Sequence, residues 1–158
     1  TLRIWLELTS WKNLSNTFDS MAIQYTNEHL EWHVLDATSK TLGRLATEIA
    51  SLLLAKHKTD SEKHVAAPVR VIVTNSDTLK VTGKKKKQKI YRRYTGYPGG
   101  LRERSLQEQM KKDSRFVIRQ AVEGMLPKNR LRASRMRNLY VYPTAEHPHL
   151  PQVNQENV

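Results

Sequence analysis

The sequence predicts an α/β domain with a small, mostly parallel sheet. Three segments predict it: a β-rich stretch at residues 32–36, an amphipathic stripe at Leu42–Leu53 and an apolar β-branched run at Val69–Thr74. A strand, a long helix and a second strand in this order form a βαβ unit, whose crossover is right-handed and joins parallel strands. The 158 residues suffice for one such domain and an extension.

The first strand and its helix are predicted within residues 32–53. Residues 32–36 are rich in β-formers and are followed by a polar turn. Thr41 is a suitable N-cap for a helix whose apolar residues recur at helical spacing, namely Leu42, Leu45, Ala46, Ile49, Leu52 and Leu53. Lys56, His57 and Lys58 follow this helix, where positive charge suits the negative end of the helix dipole.

Two further strands are predicted within residues 69–82. Val69–Thr74 is mostly apolar and β-branched, as expected of a strand covered on both faces. Residues 79–82 are expected to form a third short strand that leads to Gly83 and a run of four lysines.

The last third of the chain predicts two helices and a final strand. Ser114 is the expected cap of a helix that ends at Pro127 and carries an apolar stripe of Val117, Ile118, Ala121, Val122 and Met125. Residues 130–137 predict a basic helix, and residues 139–142 predict a strand that Pro143 stops. The segment from His147 is rich in Pro and Gln, which favours an extended tail.

The sequence predicts three parts, which are an arm at residues 1–31, a domain at residues 32–150 and a C-terminal tail at residues 151–158. The arm contains scattered large apolar side chains without a sustained period, and its net charge is −2. Negative charge is repelled from phosphate, so the arm should be a poor ligand for a polyanion. We expect it to dock through Trp5 and Trp11 on a neighbouring protein or back on the domain.

The charge distribution indicates a polyanionic partner. The chain has 27 Lys and Arg against 15 Asp and Glu, and the whole excess lies beyond residue 31. Residues 78–102 and 124–145 contain no acidic residue and hold most of the clustered cations. The like charges within each acid-free run repel one another, and a merely solvated surface would gain nothing from this repulsion. Two such runs in one small domain therefore favour nucleic-acid binding over a merely solvated surface.

Composition and motifs exclude most other classes of function. The absence of Cys excludes disulfide scaffolds, Cys-ligated zinc and iron–sulfur clusters, and no apolar run reaches the roughly 18–20 residues of a membrane span. The dinucleotide and nucleophile-elbow motifs are absent, and Thr82-Gly83-Lys84 fails as a phosphate loop because Thr78 stands where its first glycine belongs. We therefore expect no cofactor, no small-molecule substrate and no membrane partner.

Two histidine groups are weak candidates for chemistry. His147 and His149 lack the partners of a zinc motif, so no metal site is expected. His57 and His64 flank acidic Asp60 and Glu62, but this polar, Lys-rich segment predicts a surface loop rather than a catalytic cleft.

Residues 91–100 combine aromatic, cationic and glycine residues. Rings alternating with guanidinium groups supply stacking platforms and phosphate contacts together. A glycine turn between two elements would explain Gly96, Gly99 and Gly100, but not the neighbouring rings and charges. Residues 124–131 predict a second phosphate-contacting segment, because Pro127 turns the chain and presents Lys128, Asn129 and Arg130 at the start of the basic helix.

Six blocks of the sequence, in order, resemble the ribosomal protein uL13 family (bacterial L13). They are Leu42-Gly43-Arg44-Leu45-Ala46, Val81-Thr82-Gly83-Lys84-Lys85, Gln88-Lys89-Ile90-Tyr91, Gly96-Tyr97-Pro98-Gly99-Gly100, Gly124-Met125-Leu126-Pro127-Lys128-Asn129 and Glu146-His147-Pro148-His149. The resemblance implies a three-layer α/β/α fold with a four-stranded parallel sheet. It also implies no enzymatic activity and a structural role in binding and folding large-subunit rRNA, beside neighbouring ribosomal proteins.

The resemblance, together with charge and aromatic content, predicts which residues bind RNA. They are Arg44, Lys56, Lys58, Lys84, Lys85, Lys86, Lys87, Lys89, Tyr91, Arg92, Arg93, Tyr94, Gly96, Tyr97, Gly99, Gly100, Arg102, Lys128, Asn129, Arg130, Arg132, Arg135, Arg137 and His147. An alternative function is an extraribosomal or regulatory RNA-binding protein that uses the same surface.

The chain departs from the usual family pattern in two places. Residues 59–68 replace a Thr-Pro-His segment and an Asp-Thr-Gly-Asp turn, and residues 131–135 replace the Leu-Gly-Arg of bacterial members. The second departure, residues 102–106 and the arm look similar to mitochondrial members. The expected compartment is the mitochondrial matrix, with the chloroplast stroma or bacterial cytoplasm as alternatives.

Overall fold

The computed structural model describes residues 30–59, 61 and 63–155. Two compact units divide the chain at residues 1–31 and 32–158, and the described elements belong to the second, apart from Glu31. Trp5 and Trp11, the expected docking residues of the arm, lie outside the described residues, as do Asp60 and Glu62.

The described elements are five strands, six α-helices and a 3-10 turn. The strands are β1 (Glu31–Asp36), β2 (Val69–Thr74), β3 (Ile90–Tyr94), β4 (Leu101–Ser105) and β5 (Leu139–Val141). The α-helices are α1 (Leu42–Leu53), α2 (Lys85–Gln88), α3 (Leu106–Lys112), α4 (Ser114–Met125), α5 (Leu131–Arg137) and α6 (Leu150–Gln155), and a 3-10 turn covers Ser76–Thr78. The α/β class is therefore confirmed.

The central sheet has the strand order β1-β2-β5. β2 pairs with β5 in parallel, with Val71 opposite Leu139 and Val73 opposite Val141. All residues of β2 except Arg70 are buried, which confirms a strand covered on both faces. The expectation of a four-stranded parallel sheet is wrong in its strand count, and the three-layer arrangement stays a prediction.

The expected strand at residues 79–82 is the missing fourth strand. This segment makes one parallel bridge, between Thr41 and Lys80, and the Leu42 N–H donates to the Lys80 carbonyl at 3.0 Å. Pairing cannot continue because the opposite chain enters α1 at Leu42, so it offers no further extended residue. Gly83, with φ of +66°, then turns the chain away toward the lysines.

The α1 helix packs its predicted stripe into the core. Leu42, Leu45, Ala46, Ile49 and Leu53 are buried, together with Ala50, while Leu52 is half-buried against them. Thr41 occupies the N-cap position in extended conformation, although its side chain makes no capping hydrogen bond. Helix α4 adds Val117, Ile118 and Val122 to the same core.

Two details of helix α4 differ from expectation. The N-cap of α4 is Asp113, whose Oδ1 accepts from the Arg115 N–H at 3.1 Å, whereas Ser114 is buried and hydrogen-bonded to Ser76 at 2.8 Å. Met125 is 43% exposed, and the next residue, Leu126, is buried in its place.

The tail is not wholly extended, because it forms α6. Pro151 lies in the first turn of this helix, where its missing N–H is not needed for intrahelical bonding. The Val153 N–H donates to the His149 carbonyl at 3.2 Å, which closes the first turn.

Candidate RNA-binding surface

The lysine run forms an exposed helical turn. Lys84 precedes α2, which contains Lys85, Lys86 and Lys87, and all four side chains are exposed. The next cation, Lys89, places its Nζ 5.3 Å from the centre of the Tyr91 ring. One short turn therefore concentrates four ammonium groups beside the start of β3.

Residues 90–105 form an antiparallel hairpin of β3 and β4, a feature that sequence reasoning did not predict. Gly96 and Gly99 have φ of +91° and +72°, so the glycine turn does require residues that tolerate positive φ. Gly100 is required for space, because a Cβ there would lie 2.0 Å from Thr95 Oγ1. The turn leaves Tyr97 76% exposed at its tip.

The register of the hairpin sorts its side chains onto two faces. Tyr91 lies opposite Arg104 and Arg93 opposite Arg102, and successive pairs alternate between faces because the side-chain period of a strand is two. One face therefore carries Tyr91, Arg93, Arg102 and Arg104. We call Arg93, Arg102 and Arg104 the arginine cluster.

The other face of the hairpin is neutral and partly apolar. Arg92 lies opposite Glu103, and its Nε donates to Glu103 Oε1 at 2.6 Å. Ile90, Tyr94 and Leu101 flank this ion pair and are each about half exposed or more. Arg92 thus differs from the arginine cluster because a carboxylate already balances its charge.

A groove of about 480 Å³ separates the arginine cluster from α3 and α4. Besides the cluster, its lining includes Tyr91, Arg92, Lys112, Asp113 and Phe116. The Tyr91 and Phe116 rings meet edge to face, with centroids 5.8 Å apart. Burial raises the pKa of the Tyr91 hydroxyl above its ordinary value.

A second groove, of about 600 Å³, lies between α4 and α5. It is lined by Arg119, Arg130, Arg137 and Asn129, and by Arg132, whose Nη2 lies 3.6 Å from Glu123 Oε1. The exposed Lys128 stands beside it in the turn between the two helices. Phe116 lines both grooves, so the fold brings the two acid-free segments of the sequence to one continuous surface.

Some predicted residues lie elsewhere. Arg44 is exposed in the first turn of α1, Lys56 and Lys58 follow α1, and none of these three lines either groove. Arg135 is only 5% exposed and its Nη2 donates to the Lys63 carbonyl at 3.5 Å. Arg135 therefore faces inward from α5 and ties that helix to the loop between α1 and β2, and its contact with RNA stays a prediction that this burial does not support.

The histidines of the tail belong to an aromatic cluster. The ring of His149 lies 4.7 Å from that of Tyr140 and 5.2 Å from that of Trp32, while the half-buried His147 lies 6.0 Å from Tyr142. Burial lowers the pKa of His149, and the nearby His147 and Arg70 lower it further. His147 therefore packs in an aromatic cluster and lines neither groove.

Sequence reasoning missed Arg104, Lys112, Phe116 and Arg119. Phe116 directly precedes the buried pair Val117 and Ile118, so its place on the rim of the helix stripe was a usable signal. The spacing of Ser105 and Glu108 was another, since it forms a complete capping box that starts α3 directly after β4.

The arrangement defines a class of protein before any relative is considered. Guanidinium and ammonium groups surround exposed aromatic rings on one surface of an α/β domain, which is typical of RNA-binding proteins. No helix among the described residues is both long enough and apolar enough to span a membrane.

Comparison with known proteins identifies the family. Residues 30–148 match the family Ribosomal protein L13. The chain is 49% identical over 122 residues to large ribosomal subunit protein uL13 of Rubrobacter xylanophilus, which covers 77% of this chain and 85% of the relative. It is 46% identical over 126 residues to the uL13 protein of Alcanivorax borkumensis, covering 80% and 89%. For that of Thermus thermophilus the identity is 48% over 121 residues, covering 77% and 86%.

The chain belongs to the ribosomal protein L13 family. Members of this family are structural rather than enzymatic proteins. The three relatives are bacterial, so they support a bacterial-type member and give no support to the expected mitochondrial matrix.

Proposed function

We propose that this protein is a structural constituent of a large ribosomal subunit that binds large-subunit rRNA, without enzymatic activity. The observation that carries the proposal is the meeting of two acid-free segments at one exposed surface around Phe116. Membership of the L13 family supports the same function, because the relatives are large-subunit proteins by name. Cations held on a rigid domain neutralise phosphates and hold folded RNA segments together.

The binding residues of the proposal are the exposed members of the predicted set. They comprise the lysine run, the hairpin with its turn, and the cations around the turn between α4 and α5. Arg135 is left out because it is buried. Arg44, Lys56, Lys58 and His147 remain candidates for contacts outside the two grooves.

The test of the proposal is the salt dependence of rRNA binding. Replacing Lys84–Lys87 together by Ala should lower affinity for protein-free large-subunit rRNA, with the deficit shrinking as salt rises. If all four lysines contact phosphates, the slope of log affinity against log salt should fall by about 3. Thermal unfolding should be unchanged, since these side chains are exposed. Binding by the unsubstituted chain that is insensitive to salt would contradict the proposal.

The extraribosomal alternative uses the same surface and is separated by co-sedimentation. A structural constituent should remain with the large subunit through a high-salt wash, whereas a regulatory factor should be released. Loss of the protein from washed subunits would favour the alternative.

The arm is proposed to contact neighbouring ribosomal proteins through Trp5 and Trp11. The proposal is supported by its net charge of −2 and its large apolar side chains. Deleting residues 1–28 should leave rRNA affinity nearly unchanged and reduce retention of a neighbouring protein in purified subunits. A large loss of rRNA affinity would contradict this assignment.

The compartment is proposed as mitochondrial, on the sequences of the arm, of residues 102–106 and of residues 131–135. A ribosome of bacterial type is consistent with this proposal, because the relatives are bacterial. Fractionation of the source cells should place the protein with mitochondrial large subunits. Recovery with ribosomes of another compartment would overturn the proposal.

A further inference from the structure

The two grooves meet at Phe116, and their meeting point indicates the form of RNA that they bind. We propose that a single RNA strand crosses Phe116, with backbone phosphates at the arginine cluster and an unpaired base stacked on the Phe116 ring. This inference rests on the proposed rRNA-binding function and adds the class of RNA segment and the residues that hold it.

The arginine cluster provides the phosphate site. Arg93 lies directly opposite Arg102, and Arg104 lies two residues further along β4 on the same face. Like charges in directly opposite positions destabilise a hairpin, so this face needs an anion that the described part of the chain does not supply. Among the described residues, no carboxylate lies within ion-pair distance of these three guanidinium groups.

Among the described residues that line this groove, Asp113 is the one carboxylate, and it is engaged elsewhere. Asp113 accepts hydrogen bonds from the backbone N–H and the Nε of Arg115, both at 3.1 Å. Lys112, next to it in sequence, adds a further cation to the groove lining. The planar donor fork of a guanidinium matches the oxygens of a phosphate, so the groove suits the RNA backbone.

Phe116 provides the stacking platform. The ring is 39% exposed although it lies next to the buried Val117, and Tyr91 contacts it edge to face rather than covering it. An exposed ring among cations is the arrangement that stacks bases in proteins that bind single strands. A double helix keeps its bases stacked on one another and offers none to this ring, so the geometry favours a single strand.

The second groove continues the path of the strand. Arg119, Arg130 and Arg137 line it together with Phe116, and no residue of the hairpin does. Cations on both sides of a stacking ring place phosphates on both sides of the stacked nucleotide. The strand therefore joins the two basic segments that lie apart in the sequence.

The first experiment compares a cation of the arginine cluster with a cation outside both grooves. Binding of protein-free large-subunit rRNA is measured across a range of salt for Arg104→Gln and for a control, Lys40→Gln. Arg104→Gln should reduce the slope of log affinity against log salt by about 0.7–0.9, as expected for one lost phosphate contact. Lys40→Gln should leave the slope unchanged, because Lys40 pairs with Glu48 and lines neither groove.

The outcomes of this comparison separate the inference from the proposed function. Equal slope changes in the two variants would overturn the phosphate site while leaving rRNA binding intact. Salt-insensitive binding by the unsubstituted chain would overturn the proposed function, and the inference with it. A thermal melt of each variant shows whether the hairpin remains folded.

The second experiment tests stacking on Phe116. Phe116→Leu keeps an apolar side chain but removes the ring, so affinity should fall about 5- to 100-fold with no change in salt slope. Phe116→Tyr should restore the affinity, because a phenol ring also stacks. An oligouridylate should compete with rRNA for the unsubstituted chain more strongly than a duplex of equal length. Failure of Tyr to restore binding, or stronger competition by the duplex, would overturn the single-strand assignment.

Discussion

Strand β2 and the β3–β4 hairpin are both extended, yet they are built from opposite chemistry. β2 buries every residue except Arg70, whereas the hairpin strands are exposed except at Tyr91 and Ser105, which are half-buried. Burial of apolar area stabilises the first. A two-stranded ribbon alone is marginally stable in water, so the second depends on contacts with α3 and α4. The comparison shows an apolar core buried within the domain and a cationic hairpin face for which RNA is the proposed partner.

Removing core volume should have the largest effect. Ile49 is fully buried on α1, so Ile49→Ala should lower the free energy of unfolding by about 2–5 kcal/mol. The salt slope of rRNA binding should stay unchanged below the melting temperature, because the basic surface is untouched. Urea unfolding measures the first quantity, and Thr47→Ala on the exposed side of α1 is the control. A changed salt slope in Ile49→Ala would break the separation between core and surface.

Strain in the hairpin turn should have the next largest effect. Gly99 has φ of +72°, which a branched side chain disfavours, so Gly99→Val should cost about 1–3 kcal/mol within the hairpin. Its effect on rRNA binding and subunit assembly should exceed its effect on global unfolding, in contrast to Ile49→Ala. Gly43→Ala is the control, since this glycine lies in α1 with open space around its Cβ position. Equal thermal destabilisation by Gly99→Val and Ile49→Ala, with normal binding, would contradict the division of roles.

Loss of the α3 cap should give a smaller, local effect. The Glu108 N–H donates to Ser105 Oγ and the Ser105 N–H donates to Glu108 Oε2, so one residue joins β4 to α3. Ser105→Ala should cost about 1 kcal/mol. Amide hydrogen exchange should quicken in α3 and β4 and stay unchanged in β2. Uniform acceleration across both regions would show that hairpin and core open together.

Acid should weaken the sheet side of the molecule and spare the hairpin. The folded state lowers the pKa of His149 below its ordinary value of 6.5 through burial, His147 and Arg70. The unfolded chain therefore binds a proton more readily, and stability declines as pH falls below about 6.5 until the folded pKa is reached. His149→Phe should flatten this part of the pH profile. An unaltered profile in that variant would assign the acid sensitivity to another group.

The sequence predicted the elements of the core more fully than those of the surface. Helical apolar stripes predicted α1 and α4 closely, because burial on one face imposes a period of 3.6. A stretch of β-forming residues predicted β1, and an apolar β-branched run predicted β2, because a strand covered on both faces is apolar throughout. The cap of α4 was misassigned by one residue because Asp113 and Ser114 can both accept from the backbone, and only packing placed Ser114 against Ser76. The strand expected at residues 79–82 failed because its pairing partner turns into a helix, which local propensity does not reveal.

Hydrophobic periodicity alone could not predict the β3–β4 hairpin. Charged side chains lie on both faces of its strands, so neither strand shows the alternation of polar and apolar residues that marks a half-buried strand. The capping box at Ser105 could be recognised in the sequence and would have marked the end of β4. The burial of Arg135 had no comparable signal, since its neighbours in a basic helix look alike in sequence.

The sequence by itself determined the α/β class, the apolar core and the concentration of positive charge, because these depend on residue type and on short-range spacing. The tertiary structure alone decided which charges act together. The hairpin register placed Arg93, Arg102 and Arg104 on one face and paired Arg92 with Glu103, and the packing of α4 brought Phe116 between two basic segments. Such juxtapositions depend on contacts between residues far apart in the chain, and no local pattern specifies them.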